Sequence, residues 1–187
     1  MRIHLIFSVN KHSEYLLKGN TVRFITSIFV LLFSATTLSA TVGEKAPGFK
    51  LPLVTKKGQL SLSEYRGKVV YVDFWASWCG PCRKSLPLLN DMRNELKGQP
   101  FEVLAINLDE DIKDARGFLK QFPVSYPTLH DGAGNTPEDY ELKGMPTSYL
   151  IDKNGIVQAV HTGFKPSDMT KIRKEVASLL GLKTGKK

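Results

Sequence analysis

The two cysteines are the residues whose type and spacing point most directly to chemistry. Cys79 and Cys82 are the only cysteines among 187 residues, and they enclose Gly80 and Pro81. Residues three apart on a helix lie on the same side, one turn apart, so two thiols at this spacing can reach each other. A Cys-x-x-Cys pair between a buried strand and a helix is typical of thiol–disulfide exchange.

The position of the pair predicts different roles for its two members. The sequence places Cys79 in the first turn of the helix, where unpaired N–H groups and the helix dipole favour the thiolate, the reactive form. We expect Cys79 to be the more exposed thiol and to attack first, and Cys82 to resolve the mixed disulfide. Pro81 is tolerated in a first turn. Trp78 shields the pair and shapes the surface that a substrate contacts.

Two simpler interpretations of the cysteines are weaker. A structural disulfide that closes only four residues stabilises a fold little, because the stabilisation grows with loop length. A zinc site needs about four ligands, and His130 and His161 would have to complete it, although nothing in their spacing indicates this. We therefore expect neither a metal nor an organic cofactor.

Asp73 is the third candidate catalytic residue. It interrupts an apolar run that predicts a buried strand at residues 69–74, six positions before Cys79. A buried carboxyl is costly unless it is paired or protonated, so we expect the pKa of Asp73 to be raised. Such a group suits a proton acceptor for Cys82. Placement of Asp73 on a solvated face is the alternative, and the apolar neighbours Val72 and Phe74 argue against it.

Met145-Pro146-Thr147 is a candidate substrate-binding segment. Proline directly before an apolar strand cannot donate to a ladder of hydrogen bonds. Pro146 is either an ordinary trans residue at an edge or a cis proline that exposes the backbone of Met145 to an extended peptide. The residues alone do not choose between the two.

The remaining pattern predicts an α/β fold with a central mixed β-sheet and helices on both faces. Pro87 lies inside the helix after Cys79 and should kink it. The expected elements are a hairpin at 49–54 and 58–62, a strand at 69–74, the cysteine helix ending at Gly98, a strand at 101–108, a helix at 112–121, a short strand at 128–130, a short helix near 137–142, a hairpin at 147–152 and 156–161, and a helix at 167–180.

The first forty residues differ from the rest of the chain. Arg23 precedes an apolar stretch that passes into small residues ending at Ala40, a layout typical of a secretory signal. We expect cleavage after Ala40, with an uncleaved membrane anchor as the alternative, so that residues 41–187 form the folded domain. Either outcome places the cysteines outside the cytoplasm. The net charge is +8, but the lysines are scattered or terminal, which argues against a nucleic-acid partner.

The segment around the cysteines resembles the active site of thioredoxins, and Pro87 stands at their helix kink. Met145-Pro146-Thr147 resembles their cis-proline loop, which implies that Pro146 is cis. The exported N-terminus, the leading hairpin, and the insertion between Asp109 and Gly144 are similar to the TlpA/ResA-like thiol–disulfide oxidoreductases. The matching active-site residues are Val72-Asp73-Phe74-Trp75-Ala76-Ser77-Trp78-Cys79-Gly80-Pro81-Cys82.

The resemblance has departures as well as matches. Ala105 stands where thioredoxin carries a lysine near the buried Asp, and Ser85 stands where many ResA-like proteins carry a Glu. The second departure weakens the link to cytochrome c maturation. Gly80-Pro81 resembles the dipeptide of thioredoxin, a reductant near about −270 mV, and not that of the oxidant DsbA near about −120 mV.

The resemblance therefore implies a periplasmic reductase of protein disulfides, recharged by a membrane electron donor. Cys79, Cys82 and Asp73 would carry the catalysis. Trp78, Gly80, Pro81 and the Met145-Pro146-Thr147 segment would bind the substrate. A thiol-dependent peroxidase and a copper or zinc chaperone are the alternatives, and Trp78-Cys79-Gly80-Pro81-Cys82 argues against the peroxidase.

Overall fold

The structure, a computed structural model, describes residues 40–183. The predicted signal or anchor therefore lies outside the described residues, apart from Ala40 itself. The strands are β1 (Lys50–Pro52), β2 (Gln59–Ser61), β3 (Val69–Trp75), β4 (Phe101–Asn107), β5 (Thr128–His130), β6 (Thr147–Ile151) and β7 (Val157–Thr162). The α-helices are α1 (Cys82–Glu95), α2 (Ile112–Gln121), α3 (Thr136–Asp139) and α4 (Met169–Leu180), and single 3-10 turns precede β3 and α4 at Leu62–Tyr65 and Pro166–Asp168.

The main sheet has five strands in the order β5-β4-β3-β6-β7, so β3 lies at its centre. β3 runs parallel to β4 and antiparallel to β6, which makes the sheet mixed. All seven residues of β3 and all seven of β4 are buried. Strands covered on both faces need apolar residues at consecutive positions, which explains why apolar residues predominate in both strands, with Asp73, Glu102 and Asn107 as the exceptions. The predicted mixed α/β sheet is confirmed.

The two faces of the sheet are covered unequally. One face packs against the apolar sides of α1, α2 and α4, through residues such as Leu86, Phe118 and Ile172. The other face packs against the chain leading into β1, the 3-10 turn before β3, and the segment around α3. Helices thus lie on both faces, with the three longer ones together on the face that carries the cysteines.

The leading hairpin and the insertion are present as expected. β1 and β2 form a separate two-stranded antiparallel sheet. The insertion after β4 contains α2, β5 and α3, and α2 and β5 have the predicted bounds. Asp111 caps α2 by accepting a hydrogen bond from the N–H of Lys113 at 2.8 Å. Among residues 40–183, no helix is long and apolar enough to cross a membrane.

Candidate active site

Cys79 and Cys82 form a disulfide, with their Cα atoms 5.3 Å apart. The prediction that Cys79 lies in the first turn of the helix is wrong. Helix α1 begins at Cys82, and Cys79 lies in the loop just before it. Gly80 and Pro81 form the intervening turn, and Pro81 is well suited to this place because the first N–H groups of a helix have no partner inside it.

The start of the helix nevertheless reaches the sulfur of Cys79. The backbone N–H of Cys82, the first residue of α1, points at Sγ of Cys79, with N and Sγ 3.3 Å apart. This N–H is one of the donors that a helix leaves unpaired at its start, so it can stabilise negative charge on the Cys79 sulfur. Cys79 is 4% exposed and Cys82 0%. The expected order of exposure holds, although little of Cys79 reaches solvent while the disulfide is formed.

The surface around the disulfide is formed by Trp78, Gly80 and Pro81, all of which are exposed. Trp78 is 70% exposed, the largest value for a large apolar side chain among residues 40–183. Large aromatic side chains left in water are typical of contact surfaces. The loop therefore presents an apolar platform directly beside Cys79.

Asp109 holds the cysteine loop in place, a role that the sequence did not reveal. Both of its carboxylate oxygens accept the backbone N–H of Ser77 at 3.1 Å, and Oδ1 also accepts the Ser77 hydroxyl at 3.0 Å. Asn107, at the end of β4, donates its side-chain N–H to Asp109 at 2.7 Å. Asp109 stands beside two further acidic residues at 110 and 111, so nothing in the local sequence distinguishes it. The pairing is visible only once β3 and β4 end side by side.

Asp73 is fully buried in β3, as its apolar neighbours predicted. Burial raises its pKa from 3.8 to about 7, and the hydrogen bond from Ser148 opposes this rise. The Ser148 hydroxyl donates to Oδ1 of Asp73 at 2.5 Å. Oδ2 has no hydrogen-bond partner among the described residues. Alternate residues of β3 share a face, so Asp73 lies on the face of Trp75, which packs in the same cluster as Cys82.

Ala105 lies directly beside Asp73 in the pairing of β3 with β4. Asp73 therefore has an uncharged neighbour at the position where thioredoxins carry a lysine. Asp73 instead faces Ser148 on the opposite side, in the pairing of β3 with β6. Ser148 of β6 is therefore the described side chain that hydrogen-bonds to Asp73.

The peptide bond between Met145 and Pro146 is cis, as the resemblance implied. Met145 is half-buried and packs against the cluster that contains both cysteines. Pro146 and Thr147 are buried, and the Thr147 hydroxyl donates to the carbonyl of Gly144 at 2.7 Å. The Thr147 side chain thus closes the loop, and the backbone is what the loop can offer to a substrate.

The two candidate metal-binding histidines have other partners. His130 shares a hydrogen bond with the side chain of Asn107, and His161 shares hydrogen bonds with Tyr71 and Glu175. Within the described part of the chain, no three His, Cys, Asp or Glu side chains come together as metal ligands would.

Comparison with known proteins agrees with this geometry. The model of the Redoxin family matches residues 41–179, which is most of the chain. The chain belongs to the Redoxin family. The predicted relation to the TlpA/ResA-like thiol–disulfide oxidoreductases is confirmed by its relatives, several of which are thiol-disulfide oxidoreductases named ResA.

Three of these similar proteins illustrate the relation. ResA of Geobacillus kaustophilus is 36% identical over 137 residues, covering 73% of this chain and 78% of its own. ResA of Bacillus subtilis is 32% identical over 131 residues, covering 70% and 73%. A crystal structure from Chlorobium tepidum, provisionally assigned as the thiol:disulfide interchange protein DsbE, is 48% identical with a TM-score of 0.73, covering 75% of this chain and 99% of that one. The Redoxin-family chain described here is a thiol–disulfide oxidoreductase.

Proposed function

We propose that this protein reduces protein disulfides by dithiol–disulfide exchange at Cys79 and Cys82, on the outer side of the cytoplasmic membrane. The observation that carries the proposal is the disulfide at the start of α1, with the N–H of Cys82 directed at Sγ of Cys79. In the reduced protein the same N–H would stabilise a thiolate on Cys79, which makes Cys79 the attacking sulfur.

The first step forms a mixed disulfide. The Cys79 thiolate attacks one sulfur of the substrate disulfide, the substrate S–S bond breaks, and the other substrate sulfur leaves as a thiolate that takes a proton from solvent. Cys79 is the member of the pair with surface exposure, while Cys82 has none, so a substrate sulfur can approach only Cys79.

The second step releases the product. Asp73 takes the proton of the Cys82 thiol, and the Cys82 thiolate attacks Sγ of Cys79. The Cys79–Cys82 bond forms as the bond between Cys79 and the substrate breaks, and the second substrate sulfur leaves as a thiolate and takes a proton from solvent. Two electrons pass from the enzyme dithiol to the substrate. The unpaired Oδ2 of Asp73 is the oxygen available to accept the proton, because Oδ1 already accepts from Ser148.

The loop before β6 provides the binding site for an extended substrate. Neither the N–H nor the C=O of Met145 takes part in the backbone hydrogen bonds of loops and turns among residues 40–183. An extended peptide that carries the substrate cysteine can pair with these groups as an added strand. Trp78, Gly80 and Pro81 then contact the same peptide from the other side of Cys79.

The direction of electron flow can be tested by equilibrium with glutathione. The Gly80-Pro81 dipeptide is that of the thioredoxin type, so we expect a reduction potential well below about −180 mV. A potential above that value would place the protein among oxidants or isomerases and would contradict the reductase proposal.

The order of attack can be tested by trapping. Cys82→Ser should accumulate mixed disulfides between Cys79 and its substrates, whereas Cys79→Ser should accumulate none and should lose insulin reduction. Mass spectrometry of the trapped species identifies the partner proteins. Accumulation of mixed disulfides in Cys79→Ser in place of Cys82→Ser would reverse the assignment of the two thiols. A peroxidase would instead consume peroxide in the wild type, and a copper or zinc chaperone would hold stoichiometric metal when reduced.

The proposed location rests on the N-terminal sequence pattern. Residues 1–40 would act as a cleaved export signal or as an anchor, and residues 41–187 would form the exported domain. A membrane-bound electron donor would then restore the dithiol after each cycle. Cell fractionation with N-terminal sequencing of the exported protein tests this: a new terminus at Thr41 supports cleavage, and a cytoplasmic protein with an intact terminus refutes export.

A further inference from the structure

We propose that Ser148, Tyr71, His161 and Glu175 form a proton path that connects the buried carboxyl of Asp73 with solvent. This inference rests on the proposed function, in which Asp73 exchanges a proton with Cys82 in every cycle. Asp73 is fully buried, so water cannot reach it directly. A carboxyl that must gain and lose a proton each cycle needs a route for that proton.

The strand register brings these side chains into one row. Asp73 on β3 pairs with Ser148 on β6, and Ser148 pairs with His161 on β7. Tyr71 precedes Asp73 by two positions and therefore shares its face of the sheet. Glu175 on α4 lies over the end of the row. Three adjacent strands and one helix thus place polar groups side by side in an otherwise apolar layer.

Hydrogen bonds join Asp73 to Ser148 at one end of the row, and they join the other three members of the row at its other end. Ser148 donates to Oδ1 of Asp73 at 2.5 Å. The Tyr71 hydroxyl lies 3.1 Å from Nδ1 of His161, and Nε2 of His161 lies 2.7 Å from Oε2 of Glu175. The Tyr71 and His161 rings also stack, with centroids 5.8 Å apart. This stacking fixes the orientation of the imidazole between its two partners.

Tyr71 and Ser148 supply the central link. Burial raises the pKa of Tyr71 well above its ordinary value, the charge of Asp73 raises it further, and the neighbouring Ser148 hydroxyl lowers it. Tyr71 therefore stays protonated, and its hydroxyl can pass a proton on while accepting another. The Ser148 hydroxyl donates to Asp73, and no direct hydrogen bond joins it to Tyr71 among the described residues. Rotation of the Ser148 hydroxyl away from Asp73 and toward Tyr71 therefore completes the path during transfer.

Exposure increases along the path from one end to the other. Asp73 is 0% exposed, the His161 side chain 12% and the Glu175 side chain 29%. Glu175 also contacts the ammonium group of Lys171 at 3.8 Å, a group in contact with solvent. The path thus begins beside the catalytic cluster and ends where a carboxylate can exchange protons with water.

The transfer conserves every atom and moves one proton. After Asp73 accepts the Cys82 proton on Oδ2, rotation of the carboxyl brings the proton to face Ser148, since the last torsion of Asp is broad and two-fold. Asp73 donates to Ser148, Ser148 to Tyr71, Tyr71 to Nδ1 of His161, and Nε2 of His161 to Glu175, which releases its proton to water. His161 ends in its other tautomer. When the disulfide is reduced again, the leaving Cys82 thiolate needs a proton, and transfer in the reverse direction restores the original tautomer.

Other charged and titratable groups face the path from the packed elements. Tyr126, before β5, is influenced by the Asp73 charge. Asp168, in the 3-10 turn before α4, and Glu175 both act on Tyr71. Lys171 faces Glu175 from the same helix. None of these lies between Asp73 and Ser148, and none offers a second hydrogen-bonded connection to Asp73 within the described residues.

Stopped-flow reduction of an aromatic disulfide, 5,5′-dithiobis(2-nitrobenzoate), tests the path. The reduced protein releases one coloured thiolate when Cys79 attacks and a second when Cys82 resolves. Below pH 7 most Asp73 carboxyls must lose a proton before they can accept one. We therefore expect Tyr71→Phe and Glu175→Gln to slow the second release at pH 6 by about tenfold or more, with less than a twofold change at pH 9. The first release should not change.

Controls separate a proton path from a structural role. Glu138→Gln, an exposed change on α3, should behave as the wild type at both pH values. In His161→Gly, added imidazole should restore the second release at pH 6. Equal slowing at pH 6 and pH 9, or rates unchanged in both Tyr71→Phe and Glu175→Gln, would overturn the path. If the wild type released no thiolate at all, the proposed function itself would fail, which is a different result.

Discussion

Replacement of Asp73 by Asn provides a quantitative test of how this buried carboxyl affects the fold. In the folded protein, burial raises the pKa of Asp73 from 3.8 to about 7. Between these two values the folded chain holds a proton that the unfolded chain has released. Unfolding therefore releases a proton in this range, so the contribution of Asp73 to stability is fully present below about pH 4 and is lost as the pH rises toward about 7.

The magnitude follows from the two pKa values. A tenfold change in a protonation equilibrium is worth about 1.4 kcal/mol, so moving the pKa from 3.8 to about 7 corresponds to about 4 kcal/mol. Asn is neutral throughout and lacks this dependence. We expect the stability of Asp73→Asn relative to the wild type to rise by about 4 kcal/mol between pH 4 and pH 8. Any constant cost of the unpaired amide appears equally at both pH values and cancels in this difference.

The measurement is urea unfolding of the oxidised protein at a series of pH values, with the free energy of unfolding taken from each curve. Asp91→Asn, an exposed change on α1, is the matched control and should show no such trend. All other titrating groups contribute equally to wild type and variant, so their effects cancel. Parallel stability profiles for the wild type and Asp73→Asn would refute the assignment of a raised pKa to Asp73.

Three further changes test other parts of the structure. Trp78→Ala should lower kcat/KM by about tenfold for a protein disulfide but leave a small aromatic disulfide unaffected, because the indole contacts substrate beyond the reacting sulfurs; loss of both activities would contradict this. Arg93→Ala should cost about 1–3 kcal/mol of unfolding free energy, because it leaves the buried Glu102 carboxylate without its two guanidinium hydrogen bonds at 2.9 and 3.2 Å. Lys113→Ala is the control: it removes an exposed ion pair with Asp111 and should cost less than about 0.5 kcal/mol. Leu86→Ala should cost about 2–5 kcal/mol of unfolding free energy in urea, because the side chain is fully buried in the cluster that contains the cysteines. A cost below about 1 kcal/mol would contradict this and would mean that neighbouring side chains move in to fill the cavity.

The parts of the fold that the sequence predicted well are those specified by local signals. Helix α2 has a capping Asp at one end and an apolar side at helical spacing, and its bounds were predicted correctly. Strands β3 and β4 are mostly apolar runs, interrupted by Asp73, Glu102 and Asn107, and such runs are typical of strands buried on both faces. The start of α1 was placed three residues early, because Gly80 and Pro81 can belong either to a first helical turn or to the turn before it.

The residues of the candidate site also fall into two groups, those that local sequence signals identify and those whose role depends on the tertiary fold. The cysteines and Asp73 stand out in the sequence because each is unusual among its immediate neighbours. Asp109 and Ser77 are ordinary residues whose hydrogen bonds depend on two strands ending at the same level, 32 positions apart in the chain. No local pattern specifies such a contact, so it could be found only from the structure.

The proton path shows most clearly why strand register decides function in this fold. Ser148 and His161 are separated from Asp73 by 75 and 88 positions in the sequence, yet pairing of β3 with β6 and of β6 with β7 puts all three in one line. Because side chains alternate between faces, a shift of β6 by one residue would turn Ser148 away from Asp73 and bring Thr147 or Tyr149 opposite it. The carboxyl would then lose its only described hydrogen bond and stay buried. The apolar residues that fix the register, Tyr149 and Ile151 on the opposite face, therefore also preserve the environment of Asp73.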